Sequence, residues 1–345
     1  MEGHASALVL ALIGMVAIWL AISTGTVLGR VAFERRERVA RERSAPTGKL
    51  ARSRMLRHAS SHRTEGRKWR RISALRTLVH AGEPRARLLL RRALADDDQD
   101  VVGAAVRLLG ELGDDWAVGE LIETLQNGSY ARSRVATQLD VLLPKVGHKL
   151  VRLLRDDEPA VRFWAATLLG RCPGMASARL VALTSDPDAN VRAAAVEAIG
   201  EQGNWKALAA AQARLEDDAW FVRVHACRSV GRLGGLAAAP AIAPALRDSW
   251  WWVRAAAKDA LRALGPSVAG VLIPYLDDED DFARNGAAEV LQDVGFVDAL
   301  SRHGVEGELL ERIFLAGGAG LREAALRRAI DRPLADEQTL GGVAS

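Results

Sequence analysis

The stretch DPDANVRAAAVEAIGEQG, Asp186 to Gly203, decides the fold. Val191, Ala195 and Ile199 recur every four residues, which is one face of an α-helix. Asp186 stands five residues before Val191, Arg192 directly after it, and Gly203 where a helix can close in a left-handed turn. The same spacing recurs along the chain. Aligned on Val191, the equivalent positions are Val101, Ala131, Val161, Val222, Val253 and Ala283, separated by 30 or 31 residues. So regular a period is the signature of a solenoid, in which each unit buries its apolar face against its neighbours.

The pattern assigns a task to each position. Eight residues after the aligned position stands a large aliphatic: Leu109, Leu139, Leu169, Ile199, Val230, Leu261 or Leu291. Four after it is mostly alanine, which lets neighbouring helices approach while the aliphatics fill the core. Arginine follows the aligned position at 132, 162, 192, 223, 254 and 284, and aspartate precedes it by five at 96, 156, 186, 217, 248 and 278. Such an aspartate is expected to cap the first helix of its unit. The two rows are expected to run as parallel structural ladders, because a catalytic residue would belong to one unit. A second helix follows in each unit, and a weaker unit near Arg70 brings the total to eight.

The pattern D-x4-[VA]-R-x3-A-x3-L-x3-G resembles HEAT repeats of the short bacterial, phycobilisome-lyase-like kind. The resemblance covers about residues 70–295 and implies an all-α fold. Its expected form is a right-handed α-solenoid of about eight helix pairs, closed by a helical cap over Leu309 to Ile330. It also implies a scaffold that holds other proteins, with bilin-lyase-like activity as the alternative. Deoxyhypusine hydroxylase-like relatives carry paired His-Glu iron ligands, and no His-Glu dipeptide occurs here. HEAT-like DNA glycosylases use Trp, Arg and Asp, which here follow the repeat. His225 and Cys227, two apart on a helix, point in different directions. No catalytic residue, metal ligand, cofactor or small-molecule substrate is expected.

Composition agrees with an all-α chain rich in Ala, Leu, Arg and Gly. The only cysteines, Cys172 and Cys227, sit in helical patterns and read as buried small apolar residues. Ahead of the repeats, Ala5 to Gly29 carries no charge over 25 residues, more than the roughly 20 needed to cross a bilayer. Glu2 stands where a signal peptide would be basic, so an uncleaved anchor is expected. Arg30, Arg35, Arg36, Arg38, Arg41 and Arg43 follow the run. The positive-inside rule then puts the N-terminus outside an inner (cytoplasmic) membrane and the repeats in the cytoplasm. Residues 30–71 hold fifteen Lys and Arg against four Glu, a net of +11. With −1 from residues 1–29 and +4 overall, −6 remains for residues 72–345. These arginines are expected to bind anionic headgroups, and nucleic-acid binding is not expected. The division is therefore an anchor at 1–29, a basic linker at 30–69, repeats at 70–300, and a cap and tail at 301–345. By resemblance, a membrane glycosyltransferase of envelope polysaccharide assembly is one candidate among cytoplasmic or membrane protein partners.

One feature exceeds what the repeat requires. Trp220 and Phe221, Trp251 and Trp252, and Phe282 occupy the two places before the aligned position in successive units, and Trp250 makes three tryptophans in a row. Two readings are open: staples that hold helix starts onto their neighbours, or a continuous stripe of interface anchors. Trp250 is expected to pack inward. Trp251 and Trp252, with Trp220, Phe221 and Phe282, form the candidate protein-binding patch.

Overall fold

The computed structural model describes residues 53, 55–57, 68–302 and 307–317. The apolar run, most of the basic linker with its six named arginines, and the end of the cap lie outside the described residues. Among the described residues no helix is long and apolar enough to cross a membrane. The chain falls into two compact units, Met1–Leu89 and Leu90–Ser345.

The first unit contains α1 (Lys68–His80), which buries Ile72, Leu75, Leu78 and Val79. α2 (Ala86–Leu94) lies across the division, so the boundary falls inside a helix that the periodicity had placed within the repeats.

The second unit is all-helical where it is described and has the character of a solenoid. Its elements come in pairs: α3 (Gln99–Leu112) with α4 (Asp115–Asn127), α5 (Arg132–Val141) with α6 (Leu143–Leu153), and α7 (Pro159–Gly170) with α8 (Ser177–Leu183). Then follow α9 (Ala189–Gln202) with α10 (Leu208–Gln212), α11 (Trp220–Gly234) with α12 (Ala239–Ile242), and α13 (Trp251–Ala263) with α14 (Ala269–Leu272). α15 (Asp281–Asp293), α16 (Phe296–Arg302) and a helical run over 308–317 complete it. Later second helices are short and flanked by 3₁₀ turns, as at Ala243–Arg247 and Ile273–Asp277. Pro240, Pro244, Pro266 and Pro274 fall in these segments, and each removes a backbone donor that a longer α-helix would need.

First helices stack on first helices, α7 on α9, α9 on α11, α11 on α13 and α13 on α15. The aligned residues fill that interior. Val161, Ala165 and Leu169 are fully buried, as are Val222, Ala226 and Val230, Val253, Ala257 and Leu261, and Ala283, Ala287 and Leu291. Burying each large aliphatic contributes about 2 kcal/mol before chain entropy is subtracted. Helices approach closely at Gly200, where an added Cβ would meet the Ser229 Cα at 3.0 Å. There Ser229 Oγ donates a buried hydrogen bond of 2.9 Å to the Val196 carbonyl. Ala131 departs from the pattern: α5 starts one residue later, so it precedes the helix and is exposed.

The aspartates do not cap as expected. The capping carboxylates belong to Asp98, Asp188 and Asp280, three residues before the aligned position, which accept N–H groups of the first turn. The aspartates two residues earlier accept the N–H of the capping residue, as Asp186 does from Asp188 at 2.9 Å. In Asp186, Asp217 and Asp248 both carboxylate oxygens also receive the arginine of the preceding unit. Arg162 forks onto Asp186 (2.8 and 2.9 Å), Arg192 onto Asp217 (2.8 and 2.8 Å) and Arg223 onto Asp248 (2.7 and 2.9 Å). Each of these arginines also donates to the carbonyl of its own unit's aspartate. Instead of two parallel rows, the described residues show one interlocked spine. A planar guanidinium has enough donors to serve two neighbours at once, which an ammonium does not match.

Burial disfavours the charged form of Asp217, yet hydrogen bonds from Arg192 and the Ala219 N–H outweigh it and hold the carboxyl below its ordinary value. The hydrogen bond that Arg192 donates to Asp217 in turn raises the pKa of Arg192 against the effect of its own burial.

Candidate functional site

The spine changes at α13. Arg254 keeps its hydrogen bonds to the carbonyls of Asp248 (2.7 Å) and Ser249 (3.2 Å), but it does not reach the next aspartate. Asp278 is instead taken by Arg247, which holds its carboxyl below the ordinary range chiefly through their hydrogen bond. The Arg254 guanidinium lies over the Phe282 ring, 3.9 Å from its centroid. Arg247 faces Tyr275 in the same manner at 5.1 Å. The motif alone does not single out Arg247, because it stands outside the repeated pattern.

At this edge the tryptophans are exposed. Trp250 is 49% exposed, Trp251 and Trp252 are each 58% exposed, and Phe282 is 57% exposed. Trp250 therefore does not enter the core. Its backbone occupies the N-cap position of α13 with extended geometry, ahead of the helical periodicity that turns Val253 inward. Trp220 and Phe221 are half-buried.

Sequence register pairs Trp220 with Trp251, but the ring that stacks on Trp220 is Trp250, with centroids 5.4 Å apart and planes at 17°. Phe221 meets Trp220 edge-on at 5.7 Å, and Trp251 meets Trp252 edge-on at 4.7 Å. The described ring contacts thus form three neighbouring groups rather than one continuous stripe: Trp220, Phe221 and Trp250; Trp251 and Trp252; and Phe282 with Arg254. Trp205, 70% exposed in the turn after α9, lies outside the patch expected from sequence.

Trp250 stands at a position that a capping side chain fills in some first helices and not in others, α5 and α7 being among those without one. In α3, α9 and α15 the N-cap residue is aspartate. In α11 it is Ala219 and in α13 Trp250, and neither makes a side-chain cap bond. Omitting such a cap typically costs about 1 kcal/mol.

The groups considered for chemistry remain apart. His225 Nδ1 is 3.6 Å from Glu197 Oε2, and burial pushes the imidazole below its ordinary value. Cys227 is buried and its thiol is pushed up to about 12 by that burial. Burial also raises Cys172. Among the described residues no cluster of three or more His, Cys, Asp or Glu is arranged to hold a metal.

Residues 176–262 match the family model of HEAT repeats. The match spans α9, α11 and most of α13, including the Arg192–Asp217 and Arg223–Asp248 forks. Among solved structures, the chain is similar to Kap95p in a structure with RanGDP (14% identity, 84% of this chain, 50% of that one, TM-score 0.52). It is also similar to a Kap121p mutant (15% identity, 82% of this chain, 37% of that one, TM-score 0.53). A third likeness is to the CpcE–CpcF complex of phycocyanin lyase from Nostoc sp. PCC7120 (20% identity, 67% and 93% coverage, TM-score 0.39). The chain spans half the length or less of Kap95p and Kap121p. At these identities the likeness shows the fold alone. A search of curated protein sequences finds no match.

Proposed function

We propose that this chain is a membrane-anchored scaffold whose HEAT repeats bind a protein partner through the aromatic edge around Trp250, Trp251 and Trp252. One observation carries the reading. Three indoles are about half exposed at a helix start, and the first of them occupies a place that aspartate fills to better effect in α3, α9 and α15. Trp250 stacks on Trp220 of the preceding repeat, which leaves Trp251 and Trp252, exposed together, as side chains of the kind favoured as interface anchors. In this reading Ala5–Gly29 is the anchor, Arg30 to Arg43 touch anionic headgroups, and the repeats face the cytoplasm. A membrane glycosyltransferase of envelope polysaccharide assembly is one partner consistent with that placement. The bilin-lyase-like alternative has only fold-level likeness behind it, which does not transfer chemistry.

The test is partner recovery. Full-length chain and the double variant Trp251→Ala, Trp252→Ala are crosslinked in cells and recovered from membranes. The variant is expected to melt within about 2 °C of the parent, as exposed substitutions do, and to lose the main crosslinked protein. A large fall in melting temperature with normal recovery would assign the tryptophans to packing. Topology is checked separately with a reporter at the C-terminus, and periplasmic activity would reverse the proposed orientation.

A further inference from the structure

We infer that the aromatic edge binds an arginine-bearing basic segment of its partner, with guanidinium groups stacking on Trp251 and Trp252 between the flanking carboxylates of Asp218 and Glu279. This inference rests on the protein-binding reading above and specifies the chemistry of the partner.

The charges around the tryptophans carry it. Every arginine at this edge is already engaged. Arg223 forks onto Asp248, Arg247 holds Asp278, Arg254 donates to two carbonyls and covers Phe282, and Arg214 lies 3.6 Å from Asp217. The acids are in surplus. Residues 277–281 read Asp-Asp-Glu-Asp-Asp directly before Phe282. Asp278 is held by Arg247, Asp280 caps α15, Asp281 meets Arg284 and Asp277 meets Arg312. Glu279 is exposed and forms no ion pair with a described residue, and the same holds for Asp218 and Glu216, which precede Trp220 as Glu279 precedes Phe282 in the repeat. Against these three carboxylates stands one arginine without an acid partner, Arg254, so the charge left over beside the indoles is mostly negative, and a partner of complementary charge is basic.

The same surface shows which cation suits it. Arg254 over Phe282 and Arg247 over Tyr275 are guanidinium–aromatic stacks formed within the molecule at this edge. Trp is the strongest aromatic acceptor for such a contact, and a planar guanidinium can stack on a ring while its edge reaches a carboxylate. Trp251 and Trp252, set edge-to-face and each 58% exposed, offer indole surface for a contact of the same kind.

The experiment uses the full chain in a non-ionic detergent and fluorescence anisotropy with four labelled peptides. Each has four repeats, of Arg-Ala-Gly, Lys-Ala-Gly, Glu-Ala-Gly or Leu-Ser-Gly. The Arg peptide is expected to bind, the Lys peptide about 5-fold more weakly, and the Leu peptide more weakly still. Trp251→Ala with Trp252→Ala should weaken the Arg peptide at least about 10-fold. Asp218→Asn with Glu279→Gln, which keeps the tryptophans and the fold, should weaken it about 5-fold and flatten its salt dependence. Absence of tryptophan-dependent Arg-peptide binding overturns the inference, as does a Glu or Leu peptide that binds through the tryptophans more tightly than the Arg peptide. In either case the protein-binding reading stands if the tryptophan variant still loses its crosslinked partner. Retention of that partner overturns the binding reading itself.

Discussion

Between Arg162 and Asp248, each first helix is fastened to the next by a forked ion pair, and the aspartates that receive the forks are largely covered. From Trp250 to Asp281 the core continues unchanged, with Val253, Ala257 and Leu261 fully buried, but the repeated arginine, Arg254, no longer makes the fork, Arg247 holds Asp278 in its place, and the edge carries exposed indoles. The interior of the stack and its edge are thus separable. Apolar residues spaced four apart hold the helices together in both regions, and the edge can carry a structural clamp or an aromatic surface without disturbing them.

The sharpest way to break this comparison is through the shared interior. Gly200→Val should cost about 3 kcal/mol or more in chemical denaturation, because the added atoms meet the Ser229 backbone as well as its side chain. A small loss would show that the interior adapts and that the edge clamps contribute more than supposed. Next come the two arginines in equivalent places. Arg192→Ala leaves the carboxylate of Asp217 covered and without its fork, and should cost about 3 kcal/mol. Arg254→Ala, which loses two carbonyl bonds and a ring contact, should cost about 1 kcal/mol. Equal losses would erase the distinction between the two regions.

Acid sharpens the same contrast. The folded pKa of Asp217 is depressed, so its contribution is fully present above the ordinary carboxylate range and is lost as pH falls through the folded value. Wild-type stability should therefore fall at acidic pH more steeply than that of Arg192→Ala, as read from denaturation midpoints across a pH series. The smallest effect is a gain. Ala219→Asp restores a cap at the start of α11 and should add about 0.5–1 kcal/mol. Failure to stabilise would mean that the first turn of α11 is already satisfied in another way.

The interior was legible because burial imposes a period that survives in residue types. Val191, Ala195 and Ile199 could be placed inward from sequence, and the structure buries all three. The HEAT-repeat match then covers the same segment independently. The arginine and aspartate rows were legible as positions, but their pairing was not. Whether Arg192 reaches Asp186 or Asp217 depends on which loop of the next unit lies beside it, and spacing along one chain does not encode that. Trp250 was misplaced for a related reason. Three residues before Val253 suggests a helical face, yet α13 begins at Trp251, so helical periodicity does not apply to the residue before it. Nor could register reveal that Trp220 stacks on Trp250 instead of Trp251, because ring orientation depends on the angle at which successive units meet. The proposal of a binding edge rests on exposure, which sequence expressed only as two open readings.

The interlocked spine also bears on how such a chain can change length. Each middle unit brings one guanidinium that reaches forward and one carboxylate that is reached from behind. Duplicating a whole unit of 30 or 31 residues from this region would therefore add a donor and an acceptor together, and every fork would find a mate. Inserting half a unit would strand one of each in a covered site. A lineage built from such units is expected to grow and shrink in whole repeats, with the ionic spine acting as its reading frame.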